Sequence, residues 1–283
     1  MKKKTSSRRV IVTVAALALA MGTVTAHSPA HGNPISTQNV IFEDNFDGAA
    51  GTGPDPAKWR HDVGGEGWGN AELQYYTDST DNVAHDGHGN LVITARQGNP
   101  AGHQCWYGTC EYTSGKLTTA ETFTHTYGTF EARIKLPHGQ GIWPAFWMLG
   151  NDFGNVGWPY CGEIDIMENI GREPSTVHGT IHGPGYSGGG GIGNAYTLPN
   201  GERFTDDFHT FTLQWEPGAL TWYVDGHRFS HLTPADLGGN DWVFDHPFFM
   251  LVNLAVGGEW PGYPDDGTQF PQTMLIDYIK VTA

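Results

Sequence analysis

From Val40 onward the chain consists of short apolar runs, several of them alternating with polar residues at period two, and each run is stopped by Gly, Pro, Asn or Asp. Helical periodicity is almost absent. That pattern specifies many short strands with frequent turns, and half-buried strands of this kind bury their apolar faces by packing sheet on sheet. Glycine supplies the turns: 40 of 283 residues, about double the usual share. The expected fold is all-β, a two-sheet antiparallel β-sandwich of the jelly-roll type. The strand candidates are 91–95, 128–136, 142–149, an acidic segment from Glu163, 176–182, a hairpin of 211–215 with 220–224, then 248–256 and 274–281. Asp225-Gly226 reads as a tight turn requiring positive φ, and Gly188 to Gly191 as a flexible surface loop.

The first residues are not part of that fold. Lys2, Lys3, Lys4, Arg8 and Arg9 precede an apolar run from Val10 to Ala20, followed by Val24-Thr25-Ala26. A basic segment, an apolar run too short to span a bilayer and small residues at a cleavage site make a secretory signal peptide. The expected division is residues 1–26 as signal peptide (Ala30 is a later alternative end), 27–39 as a loose leader and 40–283 as one catalytic domain. The expected location is extracellular. Five of the 15 basic residues and none of the 30 acidic ones fall in 1–26, so the remainder carries a formal −20. Such a charge argues against nucleic acid and anionic membrane as partners, and suits a secreted enzyme with a neutral substrate. A monomer is expected. Export makes a Cys105–Cys110 disulfide plausible, and Cys161 reads as a small buried residue.

Gly162-Glu163-Ile164-Asp165-Ile166-Met167-Glu168-Asn169 holds three carboxylates within six residues. Ile164 and Ile166 alternate with Glu163 and Asp165, one face for the core and one for acid. Glu168 breaks the parity, because an unbroken strand would turn it inward. One extra residue, a β-bulge with Met167 as the candidate, returns it to the acidic face. Glu163 and Glu168 would then lie about 13 Å apart at Cα, close enough for long side chains to lean together. Retaining glycosidases hold a nucleophile and a general acid about 5–5.5 Å apart. A solvated acidic strand face is the competing reading.

The surroundings favour chemistry. Ten tryptophans exceed what a core of this size needs, and indole stacks on the C–H faces of pyranose rings. Trp143 and Trp147 share one face of their strand, opposite Phe146 and Met148. Trp158 lies in a turn beside Pro159. Asn70, Glu72 and Gln74 alternate as a polar row able to bind sugar hydroxyls, with backbone hydrogen bonding the alternative for Glu72. His178 and His182 share a polar strand face. No third ligand is spaced with them, so contact with the carboxylates or a sugar is expected in place of catalytic zinc.

Together these segments resemble glycoside hydrolase family 16, in its laminarinase-type endo-β-1,3-glucanase branch. The resemblance is carried by 68–76 (WGNAELQYY), 113–116, 127–135, 141–149 (GIWPAFWML), 162–168 (GEIDIME), 253–258 and 276–281. It implies an open concave substrate cleft and retention, with Glu163 as nucleophile, Glu168 as acid/base and Asp165 assisting Glu163. The bulged spacing is that of laminarinases. It further implies sugar contacts from Asn70, Trp143, Trp147, Trp158 and His182, with Arg96 near the cleft. No cofactor is implied for catalysis. A structural Ca2+ on the convex side would be held by Glu43, the Gly89 carbonyl and Asp277. The implied partner is β-glucan. A mixed-linkage β-1,3-1,4-glucanase, another polysaccharide hydrolase of the same fold, or a non-catalytic β-glucan-binding protein are the alternatives.

Overall fold

The structure, a computed structural model, describes residues 39–283; the expected signal peptide and the rest of the expected leader lie outside the described residues. Asn39, assigned above to the leader, already exchanges two backbone hydrogen bonds of 3.0 Å with Ala283. Two large sheets carry most of the described chain. The outer sheet runs in spatial order His227–Leu232, Ala219–Val224, His209–Glu216, Gly128–Lys135, Gln272–Thr282, Leu91–Gln97, Tyr112–Ser114 and Gln74–Tyr76, with Val40–Asp44 also paired to Gln272–Thr282. The inner sheet runs Ile192–Thr197, Thr176–His182, Glu163–Glu168, Ile142–Gly150, Phe248–Val256, Lys116–Thr118 and Arg60–His61. Pairing is antiparallel as expected, except that Gln74–Tyr76 lies parallel to Tyr112–Ser114.

The core lies between the sheets. Phe130, Ala132 and Ile134 of the outer sheet and Phe146, Met148, Ile164 and Ile181 of the inner sheet are all fully buried. Each large apolar side chain removed from water contributes about 1.5–3 kcal/mol, and the period-two alternation puts these residues on the interior faces. Among the strands absent from the expected set, Ile192–Thr197 and His227–Leu232 are sheet edges with weak apolar patterns. Tyr196 packs on Phe229 at 5.9 Å and Asn194 donates to Ser230 at 3.0 Å, joining the sheets there. Gly188–Gly190 forms a short 3-10 turn within the expected loop.

The parity fault is a bulge. Along Thr176–His182, Asp165 faces Thr180 and Glu168 faces His178, so Ile166 and Met167 together oppose Gly179. On the other side, Asp165 pairs with Trp147 and Met167 with Phe146, so Ile166 is the residue passed over. The extra position expected at Met167 is therefore shared by the pair Ile166–Met167. Both side chains enter the core, at 2% and 0% exposure, and Glu168 returns to the acidic face.

Trp222 of the outer sheet supports this bulge from beneath. Its Nε1 donates to the Asp165 carbonyl at 2.8 Å, and a Cβ on Gly179 would lie 2.6 Å from its ring. Gly179→Ala is expected to destabilise the protein by about 1–3 kcal/mol through overpacking. The melting temperature should fall by about 2–4 °C per kcal/mol. Calorimetry showing an unchanged transition would sink this account of the bulge.

Candidate active site

Glu163, Asp165 and Glu168 line one pocket on the face of the inner sheet directed away from the core, together with Trp143, Ala145 and Trp147 of the adjacent strand. Asn253 of the next strand and Asn70 and Glu72 of the segment before Gln74–Tyr76 complete it. Each catalytic candidate has its own partner. Trp158 Nε1 donates to Glu163 Oε2 at 2.6 Å, and Trp143 Nε1 donates to Glu168 Oε1 at 3.1 Å. His182 Nε2 lies 3.2 Å from Asp165 Oδ2. Glu163, Asp165 and His182 bring side-chain ligand atoms within 4.8 Å of one another. His182 is seated by close approach, since a Cβ on Gly191 would come within 2.4 Å of its ring.

Burial is the main force on the three carboxyls, because it penalises the charged form. It raises Glu163 to about 8, with the Asp165 charge adding to it and His182 and the Trp158 N–H opposing it. Burial raises Asp165 to about 7, with a hydrogen bond to Glu163 opposing the rise. Glu168 is pushed well above the carboxylate range by burial first and then by the charges of Asp165 and Glu163. Glu168 thus holds its proton well above the usual carboxylate range, which suits an acid. Asp165 is hydrogen-bonded to Glu163 and can take up the Glu163 proton as that carboxylate attacks.

These shifts also act on stability. The folded form keeps protons that the unfolded chain has already released, so between the ordinary carboxylate pKa and the raised one stability falls as pH rises. Glu163→Gln, which keeps an acceptor for Trp158, removes that loss. Its melting temperature is expected to match wild type near pH 4 and to exceed it progressively toward pH 8, the value to which Glu163 is raised. A pH series of melting curves with the variant lower throughout would contradict this.

A hydrogen-bonded chain holds the floor. Trp147 Nε1 donates to Asn253 Oδ1 at 2.7 Å, and Asn253 Nδ2 donates to the Tyr76 hydroxyl at 3.0 Å. That hydroxyl donates to Glu72 Oε2 at 3.2 Å. Gln74 and Asn70 also donate to the Glu72 carboxylate, at 2.7 and 3.2 Å. The polar row expected to meet sugar is thus divided. Asn70 and Glu72 reach the pocket, whereas Gln74 is fully buried and its carbonyl accepts the Val256 N–H at 2.7 Å. Glu72 binds side chains in place of backbone, and burial raises its pKa. Lys116, buried, lies 3.9 Å from the Trp68 ring centroid and 5.3 Å from that of Trp147. It is paired with Asp62 at 3.0 Å. Sequence reading did not single out Lys116 or Asn253 as site residues; for Asn253 the signal was one polar residue in the otherwise apolar run Phe248–Val256.

Trp260 packs edge-on against Trp143 at 5.6 Å and against His178 at 5.0 Å. Cys161 is buried as expected, in a small cluster with Leu149, Phe249 and Leu251 against Trp147. Arg96 stands at the exposed end of an outer-sheet strand, where its Nε donates to the Asp81 carbonyl at 2.9 Å; it does not line the carboxylate pocket. At the suggested calcium donors, Asp277 is bound by Arg133 at 2.7 Å and the Glu43 carbonyl accepts from Lys58 Nζ at 2.8 Å. Gly89 has the positive φ of a turn, 84°. Lys58 meets the backbone of Glu43, so Asp277 is the suggested donor whose carboxylate carries a cationic side chain.

A β-sandwich with paired carboxylates in a tryptophan-lined cleft defines a glycoside hydrolase. The family model for glycosyl hydrolases family 16 matches residues 70–280, and the chain belongs to that family. It is 42% identical over 252 residues to a beta-glucanase of Rhodothermus marinus, covering 86% of this chain and 84% of that one. The laminarinase catalytic domain of Thermotoga maritima superposes with a TM-score of 0.80 at 50% identity, over 87% of this chain and 98% of that one. The endo-beta-1,3-glucanase of Pyrococcus furiosus does so with a TM-score of 0.80 at 46% identity, over 87% and 94%.

Proposed function

We propose that this protein is an exported, endo-acting hydrolase of β-1,3-glucan that works with retention of anomeric configuration. The observation that carries the reading is the bulged acidic strand, which presents Glu163 and Glu168 to one tryptophan-lined pocket. The family and the names of the relatives supply the polymer. In the first step the Glu163 carboxylate attacks the anomeric carbon, and Glu168 gives its proton to the leaving oxygen as the glycosidic bond breaks. Asp165 accepts the proton that Glu163 must shed. In the second step Glu168 takes a proton from water, whose oxygen displaces Glu163 from the anomeric carbon. Trp143 and Trp158 orient the two glutamates through their N–H groups and offer ring faces to the sugar.

The test is hydrolysis of laminarin, curdlan, lichenan and agarose side by side, with the anomeric proton of fresh product followed by NMR. Laminarin and curdlan should be cleaved internally, with the β-anomer appearing first. An initial α-anomer would overturn retention. Faster release from lichenan than from laminarin would move the substrate to mixed-linkage glucan. Export rests on residues 1–26 and is checked by the N-terminal residue of protein recovered from the culture medium.

A further inference from the structure

The disulfide hairpin displays an aromatic that the carboxylate pocket does not use. Cys105 and Cys110 are bonded, Gln104–Cys105 pairs with Gly108–Thr109, and the turn between them holds Trp106. That residue is 52% exposed, more than Trp158 or Trp260, yet it is firmly anchored. Its Nε1 donates to the Glu72 carbonyl at 2.7 Å and its backbone N–H to the Gly65 carbonyl at 2.9 Å. Its ring lies so close to Gly67 that a Cβ there would come within 2.8 Å. Tyr107 packs on its edge at 5.4 Å and ties the hairpin down by donating to the Leu73 carbonyl at 2.7 Å.

The segment that receives these bonds also delivers Asn70 and Glu72 to the carboxylate pocket. The Asn70 carbonyl in turn accepts the Glu259 N–H at 2.9 Å, next to Trp260 and hence Trp143. Trp106 is thus anchored on the segment that brings Asn70 and Glu72 into the pocket, while lying outside the pocket itself. An indole left half in water usually keeps its rotamer freedom. Here a covalent loop and a spent N–H fix the ring, so what it presents to solvent is a rigid flat apolar face. A pyranose C–H face is the ligand of matching shape and chemistry, and preorganisation lowers the entropic cost of binding it.

We propose that Trp106 is a stacking platform for a glucose unit lying outside the carboxylate pocket, held in place by the Cys105–Cys110 disulfide, and that it sets a preference for long chains. This rests on the polysaccharide reading above. The test is kcat/KM for wild type, Trp106→Ala, Trp106→Tyr and the double variant Cys105→Ser/Cys110→Ser on β-1,3-gluco-oligosaccharides of increasing length. Trp106→Ala should lose about 3- to 10-fold on long chains, mainly in KM, with the loss vanishing on the shortest chain cleaved. Trp106→Tyr should retain most of the long-chain preference, and the double cysteine variant should follow Trp106→Ala. An equal loss at every length would make Trp106 merely structural, and no loss at any length would remove the platform; either overturns the inference. A wild type inactive on all β-1,3-glucans would instead strike the substrate reading, whereas an active wild type with an unaltered Trp106→Ala profile strikes only this one.

Discussion

Glu163→Ala is expected to lower laminarin hydrolysis by about 10^3-fold or more, a rise of roughly 4 kcal/mol in the barrier, and azide is expected to restore turnover as an α-glycosyl azide. Removal of the carboxylate leaves Glu168 able to protonate the leaving oxygen but nothing to attack the anomeric carbon. It also opens space on the face that Glu163 occupied. Azide entering there attacks once, so configuration inverts. Trp158, whose Nε1 donates to Glu163 at 2.6 Å, loses its acceptor but stays on its own turn, so the fold should persist. A β-azide from this variant, or near-wild-type hydrolysis without azide, would remove Glu163 from the nucleophile's role.

The second large effect concerns Glu168. Glu168→Gln is expected to lose about 10^2–10^4-fold on laminarin, the range for a general acid or base, but far less in the first step with a dinitrophenyl glycoside. Such a leaving group departs without a proton. The glycosyl-enzyme should then accumulate, since no base activates water. A burst of dinitrophenolate should appear, and azide should convert the intermediate to a β-azide, the opposite anomer from the Glu163 variant. The alkaline limb of the pH–rate profile should also change. Burial and two neighbouring carboxylates hold the Glu168 proton well above the usual range, so loss of that proton limits the wild-type rate as pH rises. Equal losses on aryl and glucosyl leaving groups would show that Glu168 is not the acid.

Most of the longer strands were legible in the sequence because burial imposes a pattern on them. Phe248–Val256 was read to the residue, and Thr176–His182 likewise. Thr176–His182 alternates a buried residue with a half-buried one, whereas Phe248–Val256 is buried throughout and reads as a continuous apolar run broken by Asn253. Ile192–Thr197 and His227–Leu232 were missed because edge strands bury little and need no strong pattern. The carboxylate trio and its tryptophans were legible for a related reason. Three acids on one strand face are unfavourable without a use, and they stood next to aromatic residues in turns. For Arg96 the resemblance points to the cleft, while its side chain bonds the Asp81 carbonyl at the exposed end of its strand.

Local sequence was enough to decide that the chain makes strands, that Glu163 and Asp165 share a face, and that Glu168 needs a bulge to join them. Only the assembled sheets decided where that bulge lies. Gly179 across the strand pair leaves room for the Trp222 ring, which holds the Asp165 carbonyl from the opposite sheet. Tertiary packing likewise decided which polar residues line the cleft and which only brace it. Asn253 lies far along the chain from Tyr76 and Glu72, and it joins them to Trp147 through hydrogen bonds. Period and spacing act over a few residues, whereas a hydrogen bond between residues 177 positions apart exists only once both sheets have closed.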